Sequence, residues 1–228
     1  MQRACNVEGA QLLMESHHIN ARACAPFTCP RSIIMPIKVR PTKADLDLAN
    51  AISAHTGPRR EQVAEVVTWG ADEHILCALA VGWWLYSRGQ SCNARRTGNH
   101  ILLVTIVSAA LPHFLKTAFD QERPDRKTIR GHLHGVPLSG KRLDAFPSGH
   151  AVHIGALASA ASTLPAKQRN LVWGVGAGLV LTRVVLLAHW ASDVIVGLAI
   201  GGLLERTLRL FTGYGRCRNE LNHLPSSQ

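Results

Sequence analysis

The stretch LVWGVGAGLVLTRVVLLAHW, residues 171–190, decides the fold class of this chain. It carries one arginine and one histidine as its strongly polar members. A helix of roughly 20 largely apolar residues is long enough to cross the hydrocarbon core of a bilayer. The stretch therefore predicts a membrane-spanning helix, and it raises the question of why such a helix should contain Arg183 and His189.

Shorter apolar blocks lie on both sides of this stretch, at residues 75–86, 101–111, 151–164 and 194–204. Each must borrow flanking residues to reach the length of a span. The blocks are rich in Gly and Ala, which membrane helices use where they pack closely. We therefore predict an all-α fold, a helical membrane bundle of about five spans. A soluble all-helical bundle is the alternative.

The apolar residues are 46% of the chain and concentrate after residue 70. We expect residues 1–34 to be a disordered extension, with Met35 as a second candidate start site. Residues 35–212 are expected to form a single membrane domain, followed by a polar tail at 213–228. Residues 43–55 place apolar side chains at near-helical spacing, which predicts a short N-terminal amphipathic helix at the membrane surface or a plain soluble helix.

The formal charge of +10 suits anionic lipid headgroups or phosphate substrates. Aromatic residues make up only 5% of the chain, and none are interleaved with basic stretches, so no nucleic-acid partner is expected. The six cysteines form no CxxC pair and are interpreted as free thiols.

The polar gaps between the blocks alternate between the two faces of the membrane. Residues 88–100, 165–170 and the C-terminal tail fall on one face, and all three segments are basic. The positive-inside rule predicts that this face is cytoplasmic. Residues 116–145 and 190–193 fall on the other face.

Three polar groups lie at the ends of apolar blocks on that second face. They are KTAFDQERP at 116–124, FPSGH at 146–150 and RVVLLAHWASD at 183–193. Lys116, Arg123 and Arg183 are three cations brought to one place, an arrangement that is costly unless an anion binds among them. The guanidinium fork suits phosphate oxygens.

The FPSGH stretch precedes an apolar block and has residues typical of a helix entrance. We expect the amides of Ser148, Gly149 and His150 to be free and to point at an anion, assisted by the helix dipole. In the third stretch His189 and Asp193 are four residues apart, so in a helix they would share a face and hydrogen-bond. The carboxylate would fix the imidazole tautomer, and His150 would be available as a proton donor.

Taken together, K-x6-RP, PSGH and R-x5-H-x3-D resemble the signature of the type 2 phosphatidic acid phosphatase superfamily, over roughly residues 70–205. The family usually has serine where this chain has Thr182. The resemblance implies that His189 is the nucleophile that forms a phosphohistidine, that Asp193 orients it, and that His150 is the general acid and then the base. It also implies a set of residues that hold the phosphate, and no metal or other cofactor. These residues are Lys116, Arg123, Ser148, Gly149 and Arg183.

The expected function is an integral membrane phosphatase that hydrolyses a lipid phosphate or diphosphate, such as phosphatidic acid or a polyprenyl diphosphate. The resemblance implies a bacterial inner-membrane enzyme whose active site faces the periplasm and whose partners are its lipid substrate and the membrane lipids. A vanadate-dependent haloperoxidase, a non-specific acid phosphatase and a non-enzymatic scaffold are the alternatives. His153, one turn after His150, is expected to serve packing or to support the site residues, and not to take part in catalysis.

Overall fold

A computed structural model describes residues 36–124 and 143–215. The predicted extension at 1–34, the candidate start Met35 and most of the predicted tail lie outside these ranges. The described helices are α1 (Lys43–His55), α2 (Pro58–Thr68), α3 (Glu73–Ser87), α4 (Cys92–Ala118), α5 (Gly149–Ala160), α6 (Ala166–Val185) and α7 (Ala191–Thr212), with 3-10 turns at Trp69–Ala71 and Ala161–Thr163. Two short strands, β1 (Ile37–Lys38) and β2 (Phe119–Asp120), pair in parallel.

Each of the predicted apolar blocks lies wholly or mostly in a helix, α3 to α7, and the all-α prediction is confirmed. Among the described helices, α4 alone is both long and apolar enough to cross a membrane by itself. The number of spans therefore stays a prediction.

Helix α5 is the centre of the bundle and packs against α4, α6 and, most extensively, α7. Its contact with α7 is a backbone-to-backbone approach. A Cβ atom at Gly155 would collide with the carbonyl group of Leu198, and one at Gly201 would collide with that of Val152. This use of glycine at a helix contact is common between membrane helices.

The outer faces of these helices expose large apolar side chains. Among the most exposed are Leu79, Leu171, Leu181, Ile195, Leu203 and Leu210. A water-soluble bundle would have to leave this surface in contact with water, whereas a bilayer covers it. The surface therefore favours the membrane bundle over the soluble alternative.

The 171–190 block is not one continuous helix, which corrects the sequence-based expectation. Helix α6 ends at Val185, and residues 186–190 form a turn before α7 begins at Ala191. Leu187 adopts a left-handed conformation with φ of 51°, which costs about 1–2 kcal/mol for a residue with a Cβ. The side chains of Leu187 and Trp190 are buried against Ala49 and Ala145, and this burial offsets the cost.

Because the chain turns between α6 and α7, successive helices from α4 to α7 run in alternating directions along the bundle. The site end comprises the last turns of α4 and α6 and the first turns of α5 and α7. The opposite end comprises the first turns of α4 and α6 and the last turns of α5 and α7.

The opposite end is held by a buried polar network between α4, α5 and α7, the His100–Glu205 network. His100 Nε2 donates to Glu205 Oε1 (3.0 Å), and both side chains are fully buried. Ser159 Oγ donates to Glu205 Oε2 (2.6 Å), and Arg209 donates to both carboxylate oxygens (2.8 Å each). The Tyr214 ring stacks on the His100 ring at 4.3 Å between centroids. The Glu205 carboxylate therefore has a donor on each oxygen.

Candidate active site

Two of the predicted phosphate-binding cations share one carboxylate at the site end. The chain after α4 pairs with the segment before α5 through the bridge between Gln121 and Asp144. This pairing lets Arg123 donate from Nε (3.0 Å) and Nη2 (2.8 Å) to Asp144 Oδ1. Lys116 Nζ lies 3.6 Å from Asp144 Oδ2. The carboxylate therefore holds both cations in place.

The third cation, Arg183, approaches from the last turn of α6. Its side chain is buried, and its Nη1 donates to Thr68 Oγ1 at the end of α2 (3.2 Å). The neighbouring Thr182 hydroxyl donates to the carbonyl of Leu179 within its own helix (2.6 Å). Thr182 therefore supports α6 locally, while Thr68 holds the arginine.

The start of α5 differs from the sequence-based expectation in one respect. The Ser148 amide donates to the backbone carbonyl of Asp193 (3.4 Å), so the prediction that it is free was wrong. Gly149 and His150 occupy the first helical turn, where amides have no acceptor within the helix. The Ser148 hydroxyl does not cap the helix, and its Oγ is buried without a hydrogen-bond partner in the described residues.

His189 lies in the turn between α6 and α7, and only 3% of its surface is exposed. Its Nδ1 donates to the backbone carbonyl of Ala145 (2.7 Å). This hydrogen bond fixes the tautomer in which Nε2 carries the lone pair. The imidazole is therefore oriented by a carbonyl group that lies 44 residues earlier in the chain.

The expected hydrogen bond between Asp193 and His189 is not the one observed, and the reason is the end of α6. A spacing of four residues brings side chains together only within one helix, and these two residues lie in different elements. Asp193 Oδ2 instead accepts the amide of Trp190 (3.0 Å) at the start of α7. Asp193 thus holds the turn that carries His189 and does not contact the Nδ1 atom.

The electrostatic environment favours the neutral form of His189. Burial and the nearby cations Arg183, Arg123 and Lys116 lower the pKa of the imidazole well below its ordinary value of 6.5. His189 is therefore neutral at neutral pH, and its Nε2 lone pair is available to attack an electrophile.

His150, in the first turn of α5, belongs to the same cluster. Its ring is close enough to Arg183 and Lys116 to interact with both electrostatically. The predicted site residues from all three sequence groups therefore meet at one end of the bundle.

Several buried donors of this cluster have no hydrogen-bond partner within the described part of the chain. They are Arg123 Nη1, Arg183 Nε and Ser148 Oγ. Buried polar groups in proteins nearly always have a partner. Two guanidinium groups, a hydroxyl and free amides close to a neutral imidazole are the kinds of donor that suit a tetrahedral oxyanion.

Sequence reasoning missed Asp144, Ala145 and Thr68. Asp144 is one of several charged residues before FPSGH, and Ala145 acts only through its backbone, so neither has a distinguishing local pattern. His153, expected to serve packing, is buried with both ring nitrogens unpartnered among the described residues. The described residues include no group of three or more His, Cys, Asp or Glu side chains placed to hold a metal ion.

The sequence model of the PAP2 superfamily matches residues 98–216 of the chain, a range that includes every predicted site residue. The chain belongs to the PAP2 superfamily, and the predicted resemblance is confirmed.

Among curated relatives, the chain is 33% identical over 132 residues to a lipid A 1-phosphatase of Rhizobium etli, an alignment covering 58% of this chain and 56% of the relative. It is 34% identical over 116 residues to a lipid A 1-phosphatase of Rhizobium johnstonii, covering 50% and 48%. The chain thus spans about half the length of these relatives.

Two solved structures share the fold. LpxE of Aquifex aeolicus superimposes with a TM-score of 0.57 at 17% identity, covering 75% of this chain and 98% of that one. A transmembrane PAP2-type phosphatidylglycerolphosphate phosphatase of Bacillus subtilis superimposes with a TM-score of 0.56 at 22% identity, covering 81% and 88%. These likenesses confirm the predicted helical membrane bundle.

Proposed function

We propose that this protein is a membrane phosphatase that removes a phosphate group from a lipid. The observation that carries the proposal is the state of His189. Its imidazole is neutral, is oriented by a hydrogen bond to the carbonyl of Ala145, and lies near three cations, Lys116, Arg123 and Arg183. This arrangement suits nucleophilic attack on a phosphoryl group whose negative charge the three cations stabilise.

In the first step His189 Nε2 attacks the phosphorus atom. The N–P bond forms while the bond from phosphorus to the lipid oxygen breaks. When no phosphate is bound, burial and Arg183 lower the pKa of His150 to about 3, and the negative charge of the bound phosphate raises it again, so that His150 is protonated and gives its proton to the leaving oxygen. The products of this step are the free lipid alcohol and a phosphohistidine.

In the second step a water molecule attacks the phosphohistidine, with His150 now accepting the proton. The new O–P bond forms, the N–P bond breaks, and inorganic phosphate leaves. The first step leaves His150 without its proton and able to act as a base. The second step returns His189 to its neutral form and His150 to its protonated form. Lys116, Arg123, Arg183, Ser148 and Gly149 are proposed to bind the phosphate oxygens throughout.

Asp144 is proposed as a positioning residue for this phosphate-binding group. By holding Arg123 through Nε and Nη2, it leaves Nη1 directed elsewhere, and that atom is a buried donor with no partner among the described residues. The carboxylate also reduces the repulsion between Arg123 and Lys116 when no phosphate is bound.

The substrate class we favour is a glycolipid that carries a phosphate monoester on its sugar. The two rhizobial relatives, named as lipid A 1-phosphatases, support it. Phosphatidic acid and a polyprenyl diphosphate are the comparison substrates, because the same site could accept their terminal phosphates.

We further propose that the protein lies in a bacterial inner membrane with the site end on the periplasmic side. The opposite end carries exposed cations in the first turns of α4 and α6 and the last turns of α7, among them Arg95, Lys167 and Arg206. A basic end is typical of the cytoplasmic face.

The test is phosphate release in detergent with EDTA present, using a lipid A 1-phosphate, phosphatidic acid and a polyprenyl diphosphate. We expect release from the first substrate and its loss in His189→Asn, with His55→Asn as the matched exposed-histidine control. Brief incubation with a substrate labelled in its phosphate should leave base-stable, acid-labile label on the wild-type protein. Full activity of His189→Asn, or halide oxidation with vanadate in place of phosphate release, would contradict the proposal.

A further inference from the structure

A groove on the lipid-facing side of the bundle is separate from the candidate active site. It lies between α5, α6 and α7 and has a volume of about 370 Å³. We call it the α6–α7 groove. Its lining includes Ile154, Trp173, Ala177, Val180, Leu198 and Arg206.

The groove has an apolar half and a polar half. Ile154, Val180 and Leu198 line the part nearer the site end, and Ser162 and Arg206 line the part at the opposite end. Leu198 and Arg206 are eight residues apart on α7, which at 1.5 Å per residue gives the groove a length of about 12 Å. That length suits the upper part of an acyl chain followed by a polar headgroup.

The surroundings of the groove show that it opens towards lipid. Trp173, Leu181, Ile195 and Leu203, on the helices that form its two sides, expose large parts of their apolar surfaces. Trp173 also donates from its indole nitrogen to the carbonyl of Ala158 (2.9 Å) across the groove. Tryptophan with a polar contact of this kind is common at the level of lipid headgroups.

Charge at the polar half selects the kind of lipid. Arg209 is bound to Glu205, but Arg206, three residues earlier, is exposed and has no ion pair or hydrogen bond with any described residue. On the other side, the Arg169 guanidinium lies 5.3 Å from the centre of the Trp173 ring. Two cations therefore flank the end of an apolar groove, while the nearby Glu205 carboxylate is buried and already bound.

We infer that the α6–α7 groove binds an anionic phospholipid, with an acyl chain along Ile154, Val180 and Leu198 and the headgroup phosphate beside Arg206. Arg206 is 13 residues beyond Asp193 on α7, about 20 Å along the helix axis. The bound lipid lies in the leaflet opposite the site end, so its phosphate does not reach His189. The inference is independent of the proposed function.

The test uses the full chain in phosphatidylcholine vesicles and measures quenching of Trp173 fluorescence by lipids with brominated acyl chains. The Trp173 signal is obtained as the difference between the wild type and Trp173→Phe. Brominated phosphatidylglycerol is the anionic probe, since its headgroup is a phosphodiester, and brominated phosphatidylcholine is the neutral one. We expect brominated phosphatidylglycerol to reach half-maximal quenching at a mole fraction roughly fivefold lower than brominated phosphatidylcholine does. A fivefold difference is the effect of about one cation at a membrane surface.

Two pairs of variants localise the effect. Arg206→Gln should remove the preference for phosphatidylglycerol, whereas Arg95→Gln, an equal charge loss at the same end but outside the groove, should keep it. Ala177→Leu should fill the groove and reduce quenching by both lipids, whereas Ala199→Leu, on the exposed face of α7, should not.

Equal quenching of the wild type by both lipids would overturn the inference. Absence of quenching by either would also overturn it, since a second copy or another protein would then cover the groove.

Discussion

The two ends of the helix bundle treat buried charge in opposite ways. At the end away from the site, which holds the His100–Glu205 network, each oxygen of the Glu205 carboxylate accepts hydrogen bonds. The donors are His100, Ser159 and Arg209. At the site end, Lys116 and Arg123 share the carboxylate of Asp144, and among the described residues the side chain of Arg183 is hydrogen-bonded only to the hydroxyl of Thr68. The same helices α4 and α7 contribute to both ends.

This difference separates a structural cluster from a binding cluster. A buried charge with all its partners in place stabilises one arrangement of the helices and has no capacity left for a ligand. Buried donors without partners have a desolvation cost that a bound anion relieves. We therefore expect an anionic substrate to lower the free energy of the protein at the site end, and four predictions test the contrast.

The largest effect is expected for His189→Asn. The variant should lower kcat/KM for phosphate release by about 10⁴-fold or more, as removal of a nucleophile does in other hydrolases. The thermal midpoint in detergent should change little, because the imidazole is neutral and its main bond is to one backbone carbonyl. Retained activity, or a loss of stability as large as that expected for Glu205→Leu, would contradict the assignment of the site end to binding and of the opposite end to stability.

Glu205→Leu should have the reverse profile. It leaves the buried His100 and the partly exposed Arg209 without their carboxylate, and breaking a buried ion pair on one side costs about 3–5 kcal/mol. For a chain of this size that corresponds to a fall in the thermal midpoint of roughly 10 °C. Phosphate release at low temperature should stay within a few-fold of wild type. The conservative variant Glu205→Gln, which keeps an acceptor for His100, should lose clearly less stability.

Asp144→Asn tests whether the carboxylate positions the cations. We expect kcat/KM to fall by roughly 10- to 100-fold, because a small displacement of Arg123 and Lys116 misaligns the phosphate. Inorganic phosphate should inhibit this variant more weakly, a readout that general destabilisation would not produce. Asp47→Asn, on the exposed face of α1, is the charge-matched control. Unchanged inhibition by phosphate would exclude the positioning role.

The smallest effect is expected at Asp45, which ties α1 to the start of α7. Its carboxylate accepts from the amide (3.0 Å) and hydroxyl (2.8 Å) of Ser192 and completes a capping box with Thr42. Burial acts to raise the pKa of this carboxyl, but the hydrogen bonds from Ser192 and Thr42 lower it below 3.8. Asp45→Asn should cost about 1–2 kcal/mol.

The pH dependence of that cost has a definite sign. Because the folded protein has the lower pKa, the ionised carboxylate stabilises the fold above about pH 3.8, and the contribution is lost as the pH falls through the folded value. The difference in thermal midpoint between wild type and Asp45→Asn should be full at pH 6–8 and shrink below about pH 4. A difference that is constant down to pH 3 would contradict this account.

Sequence patterns determined the helices and the residues that make up the candidate site. Hydrophobic blocks lie where the helices are, since the pattern of apolar side chains is local information. The three motifs contained the cations and both histidines, because residue type at fixed spacing is also visible in the chain. Even so, the 171–190 block could not reveal that α6 ends at Val185, where burial of Leu187 and Trp190 outweighs continued helical hydrogen bonding.

Only the tertiary structure decided which atom orients which. His189 is held by the carbonyl of Ala145 and not by Asp193, and Asp144 holds Arg123 across the site. Every residue has a backbone carbonyl, and acidic side chains are common, so nothing in the sequence marks these partners. They come together because the segments after α4 and before α5 pair with each other. Such contacts between distant parts of the chain exist only once it has folded.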